Sequence, residues 1–319
     1  MMEIEETGAP PEDFMQDFCE DAKFYEAFRQ SRIPDFDPGY LLVKKDGKRI
    51  ATVPYFLMDF RPGAFIDLAL FRKLPVSMKA AFVGHPSADV GRIDGEASGE
   101  VLHEVNDFLF AKAGLVVYKF FRESLPLQEF FEIPGMPIPI LKVERDYFAD
   151  IHGPKRKHLH REIHLTEGLE YREPSDSLPL EEIYRLYLNT YNHGEMQFEK
   201  LNLDYFRNTA PISRYLLVYF QGELIGFAQW LQKDGSICGK YLGMDYEKGK
   251  PHGIYFAIML QMIRIAIREG CREIDFGVSG YEVKRRLGCE LVPTRVYFRH
   301  ANPVINRLLG MLGKWIGLD

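Results

Sequence analysis

Two stretches of the sequence align with each other without a gap, and this repeat constrains the fold more than any other feature. YLLVKKDGKRIATVPYFLM occupies residues 40–58, and YLLVYFQGELIGFAQWLQK occupies residues 215–233. Each contains a β-rich run, a turn with Gly47 or Gly222, and a second β-rich run, which is the pattern of a β-hairpin. The repeat predicts that one supersecondary unit occurs twice in the chain.

The same order of elements continues after each hairpin. Residues 100–114 and 254–270 are predicted helices, and Gly114 and Gly270 stand where a left-handed C-cap is expected. A strand follows each helix, LVVYKFF in the first half and REIDFG in the second. Hairpins give antiparallel pairs and a helix-linked strand returns parallel, so the predicted class is α/β (α+β), with mixed, mostly antiparallel sheets flanked by helices.

Length, charge and cysteine usage set further limits. A chain of 319 residues favours two units, and we predict them at residues 1–150 and 151–319, with the boundary near Asp150. The net charge of −6 argues against a protein that coats nucleic acid through overall charge. Four cysteines without C-x-x-C spacing, and an acidic N-terminal segment unlike a signal peptide, predict a cytoplasmic protein without a zinc site or disulfide framework.

A motif near the C-terminus resembles a known family. HGIYFAIMLQMIRIAIREGCREIDFGVSGYEVKRRLG is similar to the C-terminal half of Fem-type peptidyltransferases and of peptidoglycan-biosynthesis GNAT-like acyltransferases, in which Asp-Phe-Gly precedes Lys-x-x-Phe-Gly. The matching residues are Asp275, Phe276, Gly277, Lys284, Leu287 and Gly288. The basic stretch GPKRKHLHREIHLTEGLEYRE resembles the helix that opens the second unit in those families. The resemblance implies two GNAT-like units in tandem.

This resemblance also implies where an acyl donor would bind. A GNAT unit holds an acyl thioester between two strands that separate, and its pyrophosphate binds the N–H groups at the start of the next helix. The corresponding donor residues are Leu242, Gly243, Met244, Lys248, Gly249, Lys250, His252 and Gly253. The loop EKGKPHG has fewer glycines than the usual Gln/Arg-x-x-Gly-x-Gly/Ala pattern, although two lysines partly compensate. Acetyl-CoA or another acyl-CoA is therefore the expected donor, and a solvated turn is the alternative.

Three residues are candidates for the chemistry of acyl transfer, which needs a neutral amine, a stabilised oxyanion and a proton for the leaving group. Lys284 could stabilise negative charge, Tyr281 could act as an acid, and Glu195 could act as a base. Alternatively, Lys284 lies on a solvated face, Tyr281 packs and Glu195 belongs to a charged loop. Predicted substrate-binding residues are Gln229, Trp230 and Asp275, with core packing and turn capping as alternatives.

Three functions remain open at this point. The first is an N-acyltransferase that uses an acyl-CoA or a carrier thioester and an amine acceptor, the second is a Fem-like transferase that uses aminoacyl-tRNA, and the third is a catalytically silent binding protein. The first half lacks a counterpart to Asp-Phe-Gly and is predicted to be a non-catalytic scaffold. His160 and His164, four residues apart, do not complete a metal-binding set, so no metal is expected. The apolar stripe of the C-terminal tail, residues 302–319, could dock on the protein, on a second copy or on a membrane surface.

Overall fold

A computed structural model describes residues 1–60, 77–148, 166–174, 177–194 and 198–316, with side chains up to residue 311. The strands are β1 (Met2–Thr7), β2 (Asp37–Lys45), β3 (Lys48–Phe60), β4 (Met78–Val83), β5 (Asp94–Gly95), β6 (Leu115–Phe121), β7 (Phe131–Pro134), β8 (Ile138–Lys142), β9 (Leu169–Arg172), β10 (Arg214–Phe220), β11 (Glu223–Lys233), β12 (Ser236–Met244), β13 (Glu273–Asp275), β14 (Glu290–Val292) and β15 (Arg295–His300). The helices are α1 (Ala22–Ser31), α2 (Gly99–Lys112), α3 (Leu180–His193), α4 (Leu203–Thr209), α5 (Tyr246–Gly249), α6 (Ile254–Arg268), α7 (Tyr281–Arg286) and α8 (Pro303–Ile316).

The chain forms two compact units that exchange segments along the sequence. Unit 1 consists of Met1–Met15, Arg32–Pro137 and Val292–Asp319, and unit 2 consists of Gln16–Ser31 and Ile138–Leu291. A single division near Asp150, as predicted from the sequence, does not describe these units. The physical reason is strand pairing, because β15 pairs with β6 and β7 inside the sheet of unit 1 although it lies late in the chain.

The sheet of unit 1 has the strand order β1-β2-β3-β4-β6-β15-β7, and β5 pairs with β3. Among the ladders formed by the described residues of this sheet, only β4 and β6 run parallel, since α2 lies in their connection. Helix α2 turns its apolar stripe, including Val101, Val105 and Leu109, into the core of this unit. Unit 1 is therefore a mixed, mostly antiparallel sheet with a helix against it.

The sheet of unit 2 has the order β14-β8-β13-β12-β11-β10-β9. Strands β12 and β13 are parallel and are joined through α6, the most buried helix, ten of whose fifteen residues belong to the core. Rings of α3 and α4 pack on Tyr241 of β12, with Tyr187 and Tyr205 at 5.7 and 5.3 Å between ring centroids. The predicted fold class, two mixed sheets flanked by helices, is confirmed.

Both predicted hairpins are present, as β2–β3 and β10–β11. Their turn residues have positive φ at both central positions, 52° and 77° at Asp46 and Gly47, and 51° and 82° at Gln221 and Gly222. Two consecutive positive φ values define the type I′ turn, whose twist matches that of the strands it joins. The sequence repeat therefore corresponds to a repeat in backbone geometry.

The two helix ends differ from each other. Gly270 has a φ of 67° and so adopts the predicted left-handed conformation. Gly114 does not, because α2 ends at the extended residue Ala113, whose amide donates to the Leu109 carbonyl, and the chain enters β6 directly. Within the described ranges, no helix has both the length and the apolar character needed to cross a membrane.

Candidate functional site

Strands β12 and β13 pair over three residues and then separate. Their parallel register runs from Ser236 opposite Glu273 to Cys238 opposite Asp275. Strand β13 ends there, whereas β12 continues to Met244 and remains paired with β11. Among the described residues, no strand pairs with the other side of β12 at residues 240–244. This segment is called the open edge below.

A β-bulge lies where the open edge begins. Strand β11 pairs Gln229 with Tyr241 and Trp230 with Gly239, so Lys240 is an extra residue in β12. A bulge bends its strand, increases the local twist and redirects side chains. The bulge at Lys240 is therefore the physical reason why β12 turns away from β13 at this point.

The alternation of an antiparallel ladder fixes which backbone groups face the open edge. The Asp245 amide donates to the Ile225 carbonyl of β11 at 2.9 Å, so the backbone groups of Leu242 and Met244 point away from β11. The Met244 amide donates to Thr190 Oγ1 of α3 at 2.9 Å. The backbone of Leu242 lies between the bulge and this contact, at the centre of the open edge.

Gly243 serves packing rather than binding. A Cβ atom at this position would lie 2.7 Å from the Leu186 carbonyl carbon and 2.7 Å from the Tyr187 amide nitrogen. Backbone atoms of α3 cannot move aside to make room for a Cβ atom, as the end of a flexible side chain could. The predicted donor residues Leu242, Gly243 and Met244 thus lie together, but Gly243 faces α3 and lets this helix approach the sheet.

Two acid–base contacts surround the bulge, and the sequence did not predict either. Lys240 forms an ion pair with Glu20, and their side chains are only 2% and 9% exposed. The Lys240 ammonium also lies 4.7 Å from the ring centroid of Phe24. Beside it, the Tyr241 hydroxyl donates to Glu199 Oε1 at 2.9 Å. Glu20 stands 220 positions before Lys240, and the one local signal is a lysine within the otherwise apolar strand SICGKYLGM.

The loop EKGKPHG is helical, and its first three amides are hydrogen-bonded to Asp245. Asp245 Oδ1 accepts from the amides of Glu247 and Lys248 at 3.1 and 3.0 Å. The Gly249 amide donates to the Asp245 carbonyl at 2.8 Å. A phosphate at this loop would therefore meet the Asp245 carboxylate, and the available amides would be those that begin α6.

The other predicted donor residues line the same short segment. Lys248 forms an exposed ion pair with Glu223, and the His252 ring lies 4.1 Å from the ring of Phe220. Lys250 is exposed at the start of a single 3₁₀ turn, and Gly253, with a φ of 57°, begins α6. These residues are brought together in space as well as in sequence, next to the helix that follows the open edge.

Lys284 is buried and binds backbone carbonyls. The residue is 1% exposed. Its ammonium group donates to the carbonyls of Phe276 at 2.9 Å, Gly277 at 2.6 Å and Val278 at 3.5 Å. A solvated face, one predicted alternative for this residue, is therefore wrong, although the neighbouring Arg285 is exposed. Lys284 secures the turn by which the chain leaves β13.

The same turn determines the surroundings of Asp275 and Tyr281. Asp275 Oδ1 accepts from the Gly277 amide at 2.8 Å, which is the capping interaction named as an alternative above. Tyr281 is half-buried at the start of α7, directly after Gly280, whose φ is 59°. Burial raises the pKa of the nearby Tyr255 hydroxyl. Glu195 lies outside the described residues.

Gln229 and Trp230 are core residues. They are 1% and 0% exposed. The Gln229 amide nitrogen donates to Thr209 Oγ1 at 2.8 Å and to the Tyr215 hydroxyl at 2.8 Å. Core packing, the alternative that the sequence left open, accounts for both residues.

Among the described residues, the cysteines and histidines do not form a recognisable reactive centre. Burial raises the pKa of the Cys19 thiol to about 11 and that of the Cys289 thiol to about 12, so both are protonated at neutral pH. Within the described part of the chain, no group of three or more His, Cys, Asp or Glu residues could hold a metal ion. His152, His158, His160 and His164 lie outside that part.

Unit 1 also has a pair of parallel strands, β4 and β6, but a segment of the chain covers the strand edge beyond this pair. Strand β4 ends at Val83, opposite Tyr118, where its pairing with β6 also ends. Further along, Gly91 forms a parallel bridge with Phe121. The Lys119 ammonium donates to the carbonyls of His85, Pro86 and Ala88 at 3.2, 2.9 and 3.1 Å. The segment between β4 and β5 thus covers the edge of β6 beyond its pairing with β4.

Comparison with known proteins identifies the same architecture. The sequence model described as an acetyltransferase (GNAT) domain matches residues 154–285, within unit 2. No curated protein matches the chain.

Several solved structures are similar over nearly the whole chain. The C-terminal domain of a putative lysylphosphatidylglycerol synthetase from Agrobacterium fabrum has 10% identity and a TM-score of 0.58, with 93% of this chain and 92% of that chain covered. A tandem GNAT protein from the clavulanic acid biosynthesis pathway has 11% identity and a TM-score of 0.57, with 95% and 99% covered. FemX has 12% identity and a TM-score of 0.55, with 90% and 93% covered. The chain therefore has the tandem GNAT fold, and the part of it that matches the acetyltransferase (GNAT) model lies in unit 2.

Proposed function

We propose that unit 2 is an N-acyltransferase that moves an acyl group from an acyl-CoA or a carrier thioester to an amine. The observation that carries this proposal is the open edge of β12 inside a GNAT domain, where the backbone of Leu242 faces the space left by β13. A backbone N–H on a strand edge can bind the carbonyl oxygen of an acyl group without any side-chain contribution.

The reaction would follow from this position. The nitrogen of a neutral amine attacks the thioester carbonyl carbon, and the oxyanion that forms is stabilised by the Leu242 N–H of the open edge. The C–S bond then breaks, the thiolate takes a proton, and the new amide nitrogen loses one. Tyr281 remains the predicted acid for the thiolate. Lys284 contributes by holding the turn that precedes Tyr281.

Unit 1 is proposed as a scaffold without catalytic activity. Its β4–β6 pair is followed by the segment that Gly91 and Lys119 hold in place, so the edge of β6 beyond this pair is not available to an acyl group. This closure supports the assignment of a single acyl-transfer site to unit 2.

A second candidate function is transfer from an aminoacyl-tRNA. The observation in its favour is Asp245, whose carboxylate binds the amides of Glu247 and Lys248 and so adds a negative charge to the loop that leads to the start of α6, where a GNAT unit would bind the pyrophosphate of coenzyme A. A donor whose phosphates bind elsewhere would not meet this negative charge. FemX and the lysylphosphatidylglycerol synthetase domain share the fold of this chain. A shared fold does not identify the acyl donor, which binding measurements can identify.

Thermal-shift measurements with acetyl-CoA, longer acyl-CoAs and bulk tRNA test the proposal, because a ligand that binds the native state raises the melting temperature with its concentration. We expect acyl-CoAs to stabilise the protein and tRNA to leave it unchanged. Asp245→Asn should keep the helix cap and tighten acyl-CoA binding, since it removes a negative charge next to the phosphates.

Asp234→Asn is the matched control, because it removes the same charge from the exposed β11–β12 turn. Stabilisation by tRNA alone would replace the proposal with the second candidate. If neither ligand shifts the melting temperature, and no acyl group is transferred from acyl-CoA to a panel of amines, unit 2 is not an acyltransferase of either kind.

A further inference from the structure

Helix α8 of unit 1 presents an apolar stripe to solvent. Val304, Leu308 and Met311 are spaced by four and three residues, so they lie on one face of the helix. They are 67%, 50% and 52% exposed, which makes them the most exposed large apolar residues after Met1 among those described. Isolated exposed apolar residues are common, but an aligned row on one helix face indicates a contact surface.

The helix is held firmly against its own unit by the opposite face. Gly310 is buried against the ring of Phe131 in β7, which leaves no room for a side chain at that position. At its start, the amides of Val304 and Ile305 donate to Asn302 Oδ1 at 2.9 and 3.3 Å. Because α8 is already folded and fixed, its outer face could bind without the entropic cost of forming a helix.

Charge indicates which partner this face suits. Residues 291–318 contain four Arg or Lys residues and no Asp or Glu, although the whole chain carries a net charge of −6. Arg295 and Arg299 pair with Glu132 and Glu129, while Arg307 is exposed on α8 itself, next to the apolar stripe. The same spacing continues in sequence to Lys314 and Trp315, whose side chains lie outside the described part.

A second copy of the chain fits this face less well than a lipid surface does. A stable dimer interface buries about 800 Å² per partner, far more than one row of three side chains provides. A two-fold contact would also place two basic, acid-free helices against each other. Apolar residues flanked by positive charge are instead the pattern of helices that lie in a membrane interface.

We propose that unit 1 docks on an anionic lipid bilayer through the outer face of α8. The fourteen-residue helix is about 21 Å long, so it would lie along the interface rather than across it. Val304, Leu308 and Met311 enter the boundary between headgroups and acyl chains, and Arg307 binds anionic headgroups. This proposal does not depend on the reaction proposed for unit 2.

Co-sedimentation of the full chain with vesicles tests the proposal. We expect binding to vesicles of phosphatidylcholine with phosphatidylglycerol, and weaker binding to pure phosphatidylcholine. The double variant Leu308→Glu, Met311→Glu should lower the vesicle partition coefficient about tenfold or more, because two inserted side chains become charged. Arg307→Glu should lower it about fivefold or more, and only on the anionic vesicles.

Lys48→Glu is the control for charge, since it makes the same change at the exposed β2–β3 turn and should leave binding unaltered. All substituted positions are exposed, so melting temperatures should stay at the wild-type value and a loss of binding cannot be ascribed to unfolding. Wild-type protein that remains in the supernatant with anionic vesicles overturns the proposal. A dimer in light scattering that Leu308→Glu dissociates, without vesicle binding, assigns the face to a second copy instead.

Discussion

The ammonium group of Lys284 is the charge on which the turn after β13 depends. It is buried, and its hydrogen bonds go to backbone carbonyls of residues 276–278. Removing a donor from buried acceptors leaves them unsatisfied, which costs more than the bond itself contributed. Lys284→Met should therefore lower the free energy of unfolding by about 3 kcal/mol, as measured by urea denaturation.

Arg285→Met is the matched control, because the neighbouring side chain is exposed. Stability and turnover of Lys284→Met should fall together if the lysine acts by positioning the turn. A variant with wild-type stability and no turnover would return Lys284 to the chemistry, and one with full stability and full turnover would contradict both roles.

Glu269, at the C-terminal end of α6, makes the stability of unit 2 depend on pH. It pairs with Arg214 and also accepts from Gln232 at 2.7 Å and Arg268 at 2.9 Å. The hydrogen bond from Arg214 is the main cause that lowers its pKa from 4.5 to about 2. A carboxyl with a depressed folded pKa stabilises the fold above its ordinary value, and this contribution is lost as the pH falls from 4.5 towards about 2.

The variant Glu269→Gln should lack this dependence. We expect it to be less stable than the wild type at pH 7, with the difference shrinking as urea denaturation is repeated at lower pH towards pH 3. A difference that stays constant over this range would show that the charge of Glu269 makes no contribution to folding.

Between neighbouring elements, the most demanding contact is that of α3 with β12 at Gly243. A Cβ atom there would meet backbone atoms of Leu186 and Tyr187 at 2.7 Å. Gly243→Ala should push α3 away and lower the free energy of unfolding by about 3 kcal/mol, the upper range for an overpacked core. Circular dichroism during denaturation measures this.

Gly8→Ala provides the comparison, because a Cβ atom at that position would have no neighbour within 4 Å. The Gly243→Ala variant should also lose acyl transfer, since α3 supplies Thr190 to the open edge. Equal free energies of unfolding of the two alanine variants would mean that α3 does not pack closely against β12 at Gly243.

Local sequence patterns predicted most helices and strands. The features that they did not predict depend on how strands that are distant in sequence align with each other. Both hairpins and the α6–β13 connection were predicted because their partners are adjacent in sequence. The bulge at Lys240 was not, since it appears only when β12 is aligned with β11. Gly114 was predicted to be a left-handed C-cap because it follows the helical pattern, whereas α2 ends at the extended residue Ala113 and the chain enters β6 directly.

For the molecule as a whole, the sequence predicted two similar units but not the exchange of segments between them. Lys284 was found through a local motif, whereas the Glu20 that pairs with Lys240 comes from a segment 220 positions away. A repeat in sequence identifies what is duplicated, and it contains no information about which distant strand or helix completes each copy. The residues around the bulge could therefore be recognised only in three dimensions.

The exchange of segments also affects how the protein is made. Gln16–Ser31 belongs to unit 2, so during synthesis on the ribosome α1 appears long before the rest of its unit, Ile138–Leu291. Its buried ring Phe28 packs edge to face on Tyr205, which is synthesised only then. Unit 1 in turn waits for β15, which stands between β6 and β7. Unit 2 has all its segments only once Leu291 is synthesised, and unit 1 only after that, so both units are finished late and the nascent chain carries exposed apolar surface until then.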